Sequence, residues 1–245
     1  MRLFAVINLL FCLQQLQAQT DTLFVYGPGG PQAPMEECAK LFSTKMAIPI
    51  KVIAGPEDKW IEHAKQNADV IYGGAEYMLT RFASKHKGFL DSTTTTELYK
   101  RAAAILARSG NPKKIKSLKD LTANGIKLLN IDGAGQLGMW EDIAGRQNLI
   151  AGIQKNIGAS FANTALGIEA WKKDKSIDAW ITFASWHNRL KDVTALVQIA
   201  PAQTVYRGTP IAVTTITNQK SLSLQFIKYL QSAEAHQVFI KWGWE

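Results

Sequence analysis

The sequence predicts an α/β protein of two lobes, each a mostly parallel sheet flanked by helices, the lobes joined by two hinge crossovers. Three observations carry this. Short apolar runs end in glycine loops and give way to helix-period segments, three times in succession. The same pattern restarts at Arg101 after the connector Thr93-Thr94-Thr95-Thr96. A late strand and two closing helices are then available to return to the first lobe.

The chain opens with Met1-Arg2, an apolar run from Leu3 to Leu13 and a polar stretch ending at Ala18. That is the pattern of a secretory leader, residues 1–18, cut after Ala18; it is too short to span a bilayer. Cys12 would leave with it, and bulky Phe11 argues against lipid attachment there. The mature chain then keeps only Cys38, a small buried apolar residue on a helix, and forms no internal disulfide.

In the first lobe, residues 19–98 plus 202–245, Leu23 to Tyr26 reads as a buried strand entering Gly27-Pro28-Gly29-Gly30-Pro31, followed by a helix from Pro34 to Lys45. Ile48 to Ile53 is a second strand closed by Ala54-Gly55-Pro56, with a helix from Glu57 to Gln66. Asp69 to Tyr72 is a third, ending in Gly73-Gly74 before a helix from Glu76 to Ser84. The second lobe, residues 99–201, has strands at Ala102 to Ala107, Ile126 to Ile131, Asp178 to Phe183 and Leu196 to Ile199. A short helix spans Ser117 to Thr122 and a longer one Ala165 to Lys172. Ile211 to Thr215 and helices Leu222 to Leu230 and Ala233 to Trp242 close the chain. Such sheets gather their loops at one edge, where open α/β sheets bind ligands.

Asp132-Gly133-Ala134-Gly135-Gln136-Leu137-Gly138 has the spacing of a dinucleotide fingerprint. That reading needs an acid about 20 positions on, and no Asp or Glu occurs between Asp142 and Glu169. Gly27, Gly29 and Gly30 fail likewise, because Gln32 fills the third glycine position. What remains is mechanical: glycines turn backbone N–H groups toward a ligand, and the helix that follows presents its positive end. Leu137, Trp140 and Ala144 form one apolar face, leaving Gly135, Gln136 and Gly138 pointing outward. Three such loops, at Gly27, Gly73 and Gly133, form a candidate anion site. Its ligand-binding residues are Gly29, Gly30, Gly73, Gly74, Ala75, Glu76, Tyr77, Gly135, Gln136 and Leu137.

Arginine recognises carboxylate or phosphate best. Arg101 opens the second lobe, Arg146 ends the helix after the Gly133 loop, and Arg207 lies near the return crossing, so each is a candidate for the cleft or for a surface ion pair. Asn163 and Thr164 begin a helix and either cap it or face the ligand. Thr182 and Trp186 follow the strand from Asp178, and Tyr72, Tyr77 and Trp186 are candidates for the cleft wall or the core.

The net charge of +8 and pI of about 9.4 suit small anions, and the lysines are too scattered for nucleic acid. No G-x-S-x-G or H-E-x-x-H occurs, and His63, His86, His187 and His236 lie on separate segments. No catalytic residue, metal site or cofactor is expected. Three function classes stay open: a binder of a small anion, a surface adhesin on the same fold, and an oxidoreductase.

The loop motifs Tyr26-Gly27-Pro28-Gly29-Gly30-Pro31, Ala54-Gly55-Pro56 with Trp60, and Ala68 to Met78 resemble the accessory colonization factor AcfC family. So do Gly110-Asn111-Pro112-Lys113, Gly133-Ala134-Gly135-Gln136, Trp140-Glu141-Asp142, Ala144-Gly145-Arg146, Asp178-Ala179-Trp180 and Lys241-Trp242-Gly243-Trp244. The resemblance implies a periplasmic or secreted solute-binding protein of type II, similar to molybdate- and sulfate-binding proteins. It would hold an anion between its lobes, with a membrane transporter and a second copy of the chain as candidate partners. The chain departs from that family in carrying Gly73 and Ala75 where serines are common, Thr164 for Ser and His187 for Gln.

Overall fold

A computed structural model describes residues 22–245, so the expected leader lies outside the described residues. Strand β1 (Leu23–Gly27) is buried at Leu23, Val25 and Tyr26. Its last residue, Gly27, must lack a side chain, because the Tyr72 ring lies 2.6 Å from where a Cβ would stand. Helix α1 (Gln32–Met46) follows, with Pro34 in the first turn, where its missing N–H costs nothing. Met35, Cys38, Ala39 and Phe42 recur at helical spacing and bury one face. The Cys38 thiol is fully buried, and desolvation pushes it up to about 12, leaving it inert.

Strands β2 (Ile50–Ala54) and β3 (Val70–Tyr72) flank β1 in parallel, in register Leu23 to Ile50 and Val25 to Val70. Helices α2 (Ile61–Asn67) and α3 (Glu76–Lys85) connect onward, the first preceded by a 3-10 turn at Glu57–Lys59. The Thr93 connector contains β4 (Thr96–Glu97), which completes the first sheet in the order β2-β1-β3-β11-β4. Strand β11 (Pro210–Val213) is the returning strand, antiparallel to β3 and β4. Helix α8 (Lys220–Leu230) then packs Phe226 and Tyr229 against Phe42, with ring centroids 5.4 and 5.2 Å apart, and α9 (Ala233–Lys241) buries Ala235, Val238 and Phe239.

The second sheet is built on β5 (Arg101–Arg108). One edge of β5 pairs antiparallel with β8 (Ala179–Phe183), which lies parallel to β6 (Leu128–Ile131) and then β7 (Ile157–Phe161). Its other edge carries β9 (Thr194–Gln198) and β10 (Tyr206–Arg207). Helices α4 (Met139–Gly145), α5 (Ile150–Gln154), α6 (Thr164–Lys173) and α7 (Ser185–Arg189) cover the sheet. Ile105, Leu106, Trp171, Trp180 and Phe183 form its fully buried centre. Arg108 lies 3.8 Å over Trp171 and donates to the carbonyls of Trp171, Ile177 and Asp174, closing the end of α6.

Each sheet thus has three parallel strands, and the antiparallel additions come from the interlobe crossings and from β5 and β9. The expected lobe boundary after residue 201 moves to the far side of β10. Ala103 N donates to Val205 O at 2.8 Å, Thr204 Oγ1 donates to Ala103 O at 2.8 Å, and Tyr206 pairs with Ala102. Strand β7, Ile157-Gly158-Ala159-Ser160-Phe161, alternates half-buried and exposed positions and lacks the apolar density that marks the other strands.

The two crossovers lie side by side: Leu98 N donates to Thr209 O at 3.1 Å. Glu76 Oε1 accepts Gly208 N there at 2.7 Å, and Glu97 stands against the same glycine. Burial, and then the neighbouring Glu76, push Glu97 up from 4.5 to about 7. A carboxyl whose pKa rises on folding keeps its proton longer than the unfolded chain does, so its contribution is present below about pH 4.5 and lost by about pH 7. We therefore expect Glu97→Gln to melt above the parent at pH 8 and level with it at pH 4, by at most about 1 kcal/mol for so exposed a pair. Thermal unfolding across this range checks it.

Candidate functional site

The three glycine loops leave β1, β3 and β6 at one edge of each sheet and meet at the side chain of Arg101, the first residue of β5. A Cβ placed on Gly30 would lie 2.9 Å from Arg101 Nη1, and one on Gly74 or Gly135 3.4 Å from Nη2. The guanidinium itself leaves no room for a Cβ at Gly30, whereas at Gly74 the crowding comes from Pro28 and Met78, 3.2 and 3.3 Å away. Gly135 has its own reasons to be glycine: its φ is +85°, and a Cβ there would stand 2.8 Å from Gly74 O.

Arg101 is 1% exposed. Its Nη2 donates to Gly74 O at 2.7 Å, and its plane lies 3.7 Å over the Phe183 ring centroid and 5.1 Å from that of Trp244. Nε and Nη1 have no hydrogen-bond partner among the described residues. Burial lowers its pKa to about 9, with Tyr77 and Glu76 opposing the drop. A buried cation with two unused donors is costly by itself, and an anion beside it offsets that cost.

Next to the guanidinium, on the other side of Gly30, a chamber of about 540 Å³ lies between the lobes. The first lobe lines it with Gly29, Gly30, Trp60, Tyr72, Gly73 and Phe82, the second with Asn163, Thr164, Ile168, Trp186 and Arg189. The N-termini of α1 and α6 open onto it, and the N–H groups of a first helical turn lack intrahelical acceptors. Asn163 Oδ1 caps α6 by accepting Leu166 N at 3.1 Å. Arg189 sits at the rim, 4.7 Å over Trp186, and donates to Gly29 O of the opposite lobe at 3.1 Å.

The structure therefore brings together most of the residues singled out in the sequence and turns others away. Gly29, Gly30, Gly73, Asn163, Thr164 and Trp186 line the chamber, while Gly74, Ala75, Arg101 and Gly135 are buried around or behind it. The Gly73 N–H is already used, donating to Pro210 O at 2.7 Å. Tyr77 bridges the lobes: its hydroxyl accepts Gly135 N at 3.1 Å and Leu137 N at 3.4 Å.

The expected orientation of the Gly133 loop is reversed. Gln136 is 3% exposed and turns inward, accepting Trp180 Nε1 at 3.2 Å and donating to Thr164 Oγ1 at 3.3 Å, while Leu137 is 48% exposed. The reason is that α4 buries Met139, Ile143 and Ala144, which rotates Leu137 to the outside. Glu76 is drawn to the hinge by Gly208, and Thr182 is sealed inside β8 with its hydroxyl unpartnered. Arg146 and Arg207 are surface residues: Arg146 holds Thr204 O at 3.2 Å, and Arg207 pairs with Asp142 at 3.1 Å. Arg189, Trp60, Phe82 and Ile168 were missed. The Trp186 to Arg189 spacing on one helix face was the available signal for Arg189.

The family model described as bacterial extracellular solute-binding protein matches residues 23–245. No curated protein matches the chain in sequence. Among solved structures, Peb3 from Campylobacter jejuni is 32% identical, with 91% of this chain and 99% of that one covered, at a TM-score of 0.83. The structure of PEB3 bound to L-phospholactate matches over the same shares at 32% identity and 0.84. The sulfate-binding protein SubI from Mycobacterium tuberculosis H37Rv shares the fold alone, at 15% identity over 91% of this chain and 86% of that one, with a TM-score of 0.75. The molybdate-binding protein of Azotobacter vinelandii does so at 13% identity, 91% and 98% coverage and 0.71. With the match running from the first strand to the last residue, the chain belongs to the bacterial extracellular solute-binding proteins, as its glycine-loop motifs imply.

Proposed function

We propose that this protein is an exported solute-binding protein that takes a small anion between its lobes, with Arg101 as the group that fixes the anion's charge. The observation that carries this reading is the buried guanidinium with unpartnered Nε and Nη1 where the three glycine loops meet. Relatives named for L-phospholactate, sulfate and molybdate support it.

Arg101 and Gly135 belong to one lobe and Gly30 and Gly74 to the other, so parting the lobes opens a path to the guanidinium. The anion enters the open form, meets backbone N–H groups and the helix ends, and is sealed in as the lobes close. Closure removes water, and opposite charges about 4 Å apart then attract by about 4 kcal/mol at an effective dielectric near 20. Tyr77, accepting from Gly135 and Leu137, latches the closed form. No step of this cycle makes or breaks a covalent bond. A membrane transporter that receives the loaded protein, and a second copy of the chain, are the macromolecular partners this reading admits.

Two tests follow from it. Arg101→Met removes the cation and keeps a flexible apolar stem against Phe183. It should fold with an unchanged or higher melting temperature and show no stabilisation by sulfate, phosphate, molybdate, citrate or phospholactate. The parent, at about 100 times the dissociation constant of its ligand, gains about 2.7 kcal/mol, and Arg146→Gln should respond as the parent does. A retained response in Arg101→Met overturns the assignment. Tyr77→Phe removes one hydroxyl acceptor from the closed form, worth about 1 kcal/mol, and should weaken anion binding roughly fivefold through a faster off-rate, measurable by stopped-flow fluorescence.

A further inference from the structure

We propose that the anion taken by this protein carries an apolar body, aromatic or branched, which fills the chamber beside Arg101, and that it is not a bare tetrahedral oxyanion. This rests on the anion-binding reading above and specifies the class of anion.

The first argument is size. The chamber, about 540 Å³, lies within the range of about 300–1,000 Å³ typical of sites for small organic ligands. A tetrahedral oxyanion displaces only a few waters of about 30 Å³ each. The guanidinium and the loop glycines around it would satisfy such an ion and leave the chamber unused.

The second argument is the chemistry of the walls. Trp60, Ile71, Leu79 and Phe82 from one lobe face Ile168 and Trp186 from the other. The aromatic wall is held from behind: Trp60 lies 5.9 Å from Phe82 and 5.7 Å from Tyr26, and Phe82 lies 6.0 Å from Phe89. Trp60 is fixed further by its indole N–H, which donates to Gly55 O at 3.1 Å. A preformed apolar wall of this kind selects carbon, and a body rich in hydroxyls would leave them unpaired against it.

The third argument is polarity from end to end. The cations and the helix N-termini gather at Gly29, Gly30, Asn163 and Arg189. At the opposite wall, Glu57 is paired with Lys85 at 2.7 Å and lies 2.9 Å from His86 Nε2, so it sets no demand for a second cationic group on the ligand. Head group at the loops and body against Trp60 and Phe82 is the orientation this arrangement admits.

The test is a calorimetric series of inorganic phosphate, methylphosphonate, propylphosphonate and benzylphosphonate on the purified protein. The head group stays similar while the body grows. Affinity should rise about fourfold for each buried methylene, with a heat-capacity change that becomes more negative along the series. Ala165→Trp, which fills the chamber from the first turn of α6, should collapse the ratio of benzyl- to methylphosphonate affinity, and a melting curve of the unliganded variant shows that it folds. Phosphate binding as tightly as benzylphosphonate to the parent overturns the inference while leaving anion binding standing. Absence of binding by every member, phosphate included, while sulfate, molybdate or citrate still binds overturns this inference alone; absence of binding by those anions as well overturns the anion-binding reading with it.

Discussion

One buried charge organises this molecule. The Arg101 guanidinium lies at the base of the cleft with Phe183 beneath it, Gly74 O on one nitrogen and two nitrogens unpartnered. Gly30 comes so close that a Cβ would stand 2.9 Å from its Nη1, and a Cβ on Gly74 or Gly135 would reach van der Waals contact with its Nη2. The three strand-to-loop turns thus converge on a residue remote from two of them in sequence. A charge so placed is costly by itself, and in the proposed function an anion beside it would return the stability given up, which makes the binding site and the unfavourable burial one feature.

The hinge shares this construction. The chain end returns to the crossovers, with Glu245 N donating to Lys100 O at 2.8 Å and the Trp244 indole to Thr209 Oγ1 at 3.0 Å. The same Trp244 ring lies 5.1 Å from Arg101. One aromatic side chain therefore touches the returning crossover and the charge at the cleft floor, and a bend at Leu98 or Thr209 cannot leave Arg101 unmoved. Glu76, at the head of α3, ties Gly208 to the helix whose next residue, Tyr77, spans the lobes. Hinge and latch are adjacent residues, which couples bending to closure through a single helical turn.

What could be read from the sequence was local. The units ending at Gly27, Gly73 and Gly133 announce themselves because each strand, loop and helix is contiguous, and the apolar period changes at the loop. That the loops form one site follows from sheet topology. Choosing among the arginines depends on register: Arg101 is drawn in over Phe183, whose neighbour across the ladder is Ala103, and Arg207 faces Asp142 because β10 takes the other edge of β5. Gln136 and Leu137 were read the wrong way round since a polar residue was taken to point outward. Trp180 and Thr164, distant in the chain, supply the partners that make burying Gln136 favourable. Arg189 escaped for a similar reason, its partner Gly29 lying in the opposite lobe.

The net charge of +8 and the single buried arginine divide the electrostatics between them. Scattered surface lysines raise the potential around the whole protein and speed the encounter with an anion, an effect that salt screens over a Debye length of about 8 Å at physiological ionic strength. In the proposed cycle, lobe closure places the anion among groups from which water and counterions are excluded, where screening no longer reaches it. That proposal assigns encounter to the many exposed charges and retention to Arg101, so ionic strength would act on capture and leave release to the closed site. Selectivity falls to the part of the cleft that carries no charge, since a guanidinium accepts carboxylate, phosphate and sulfate alike. The walls formed by Trp60, Phe82 and Trp186, and not the arginine, are the place where this chain can differ from another built on the same fold.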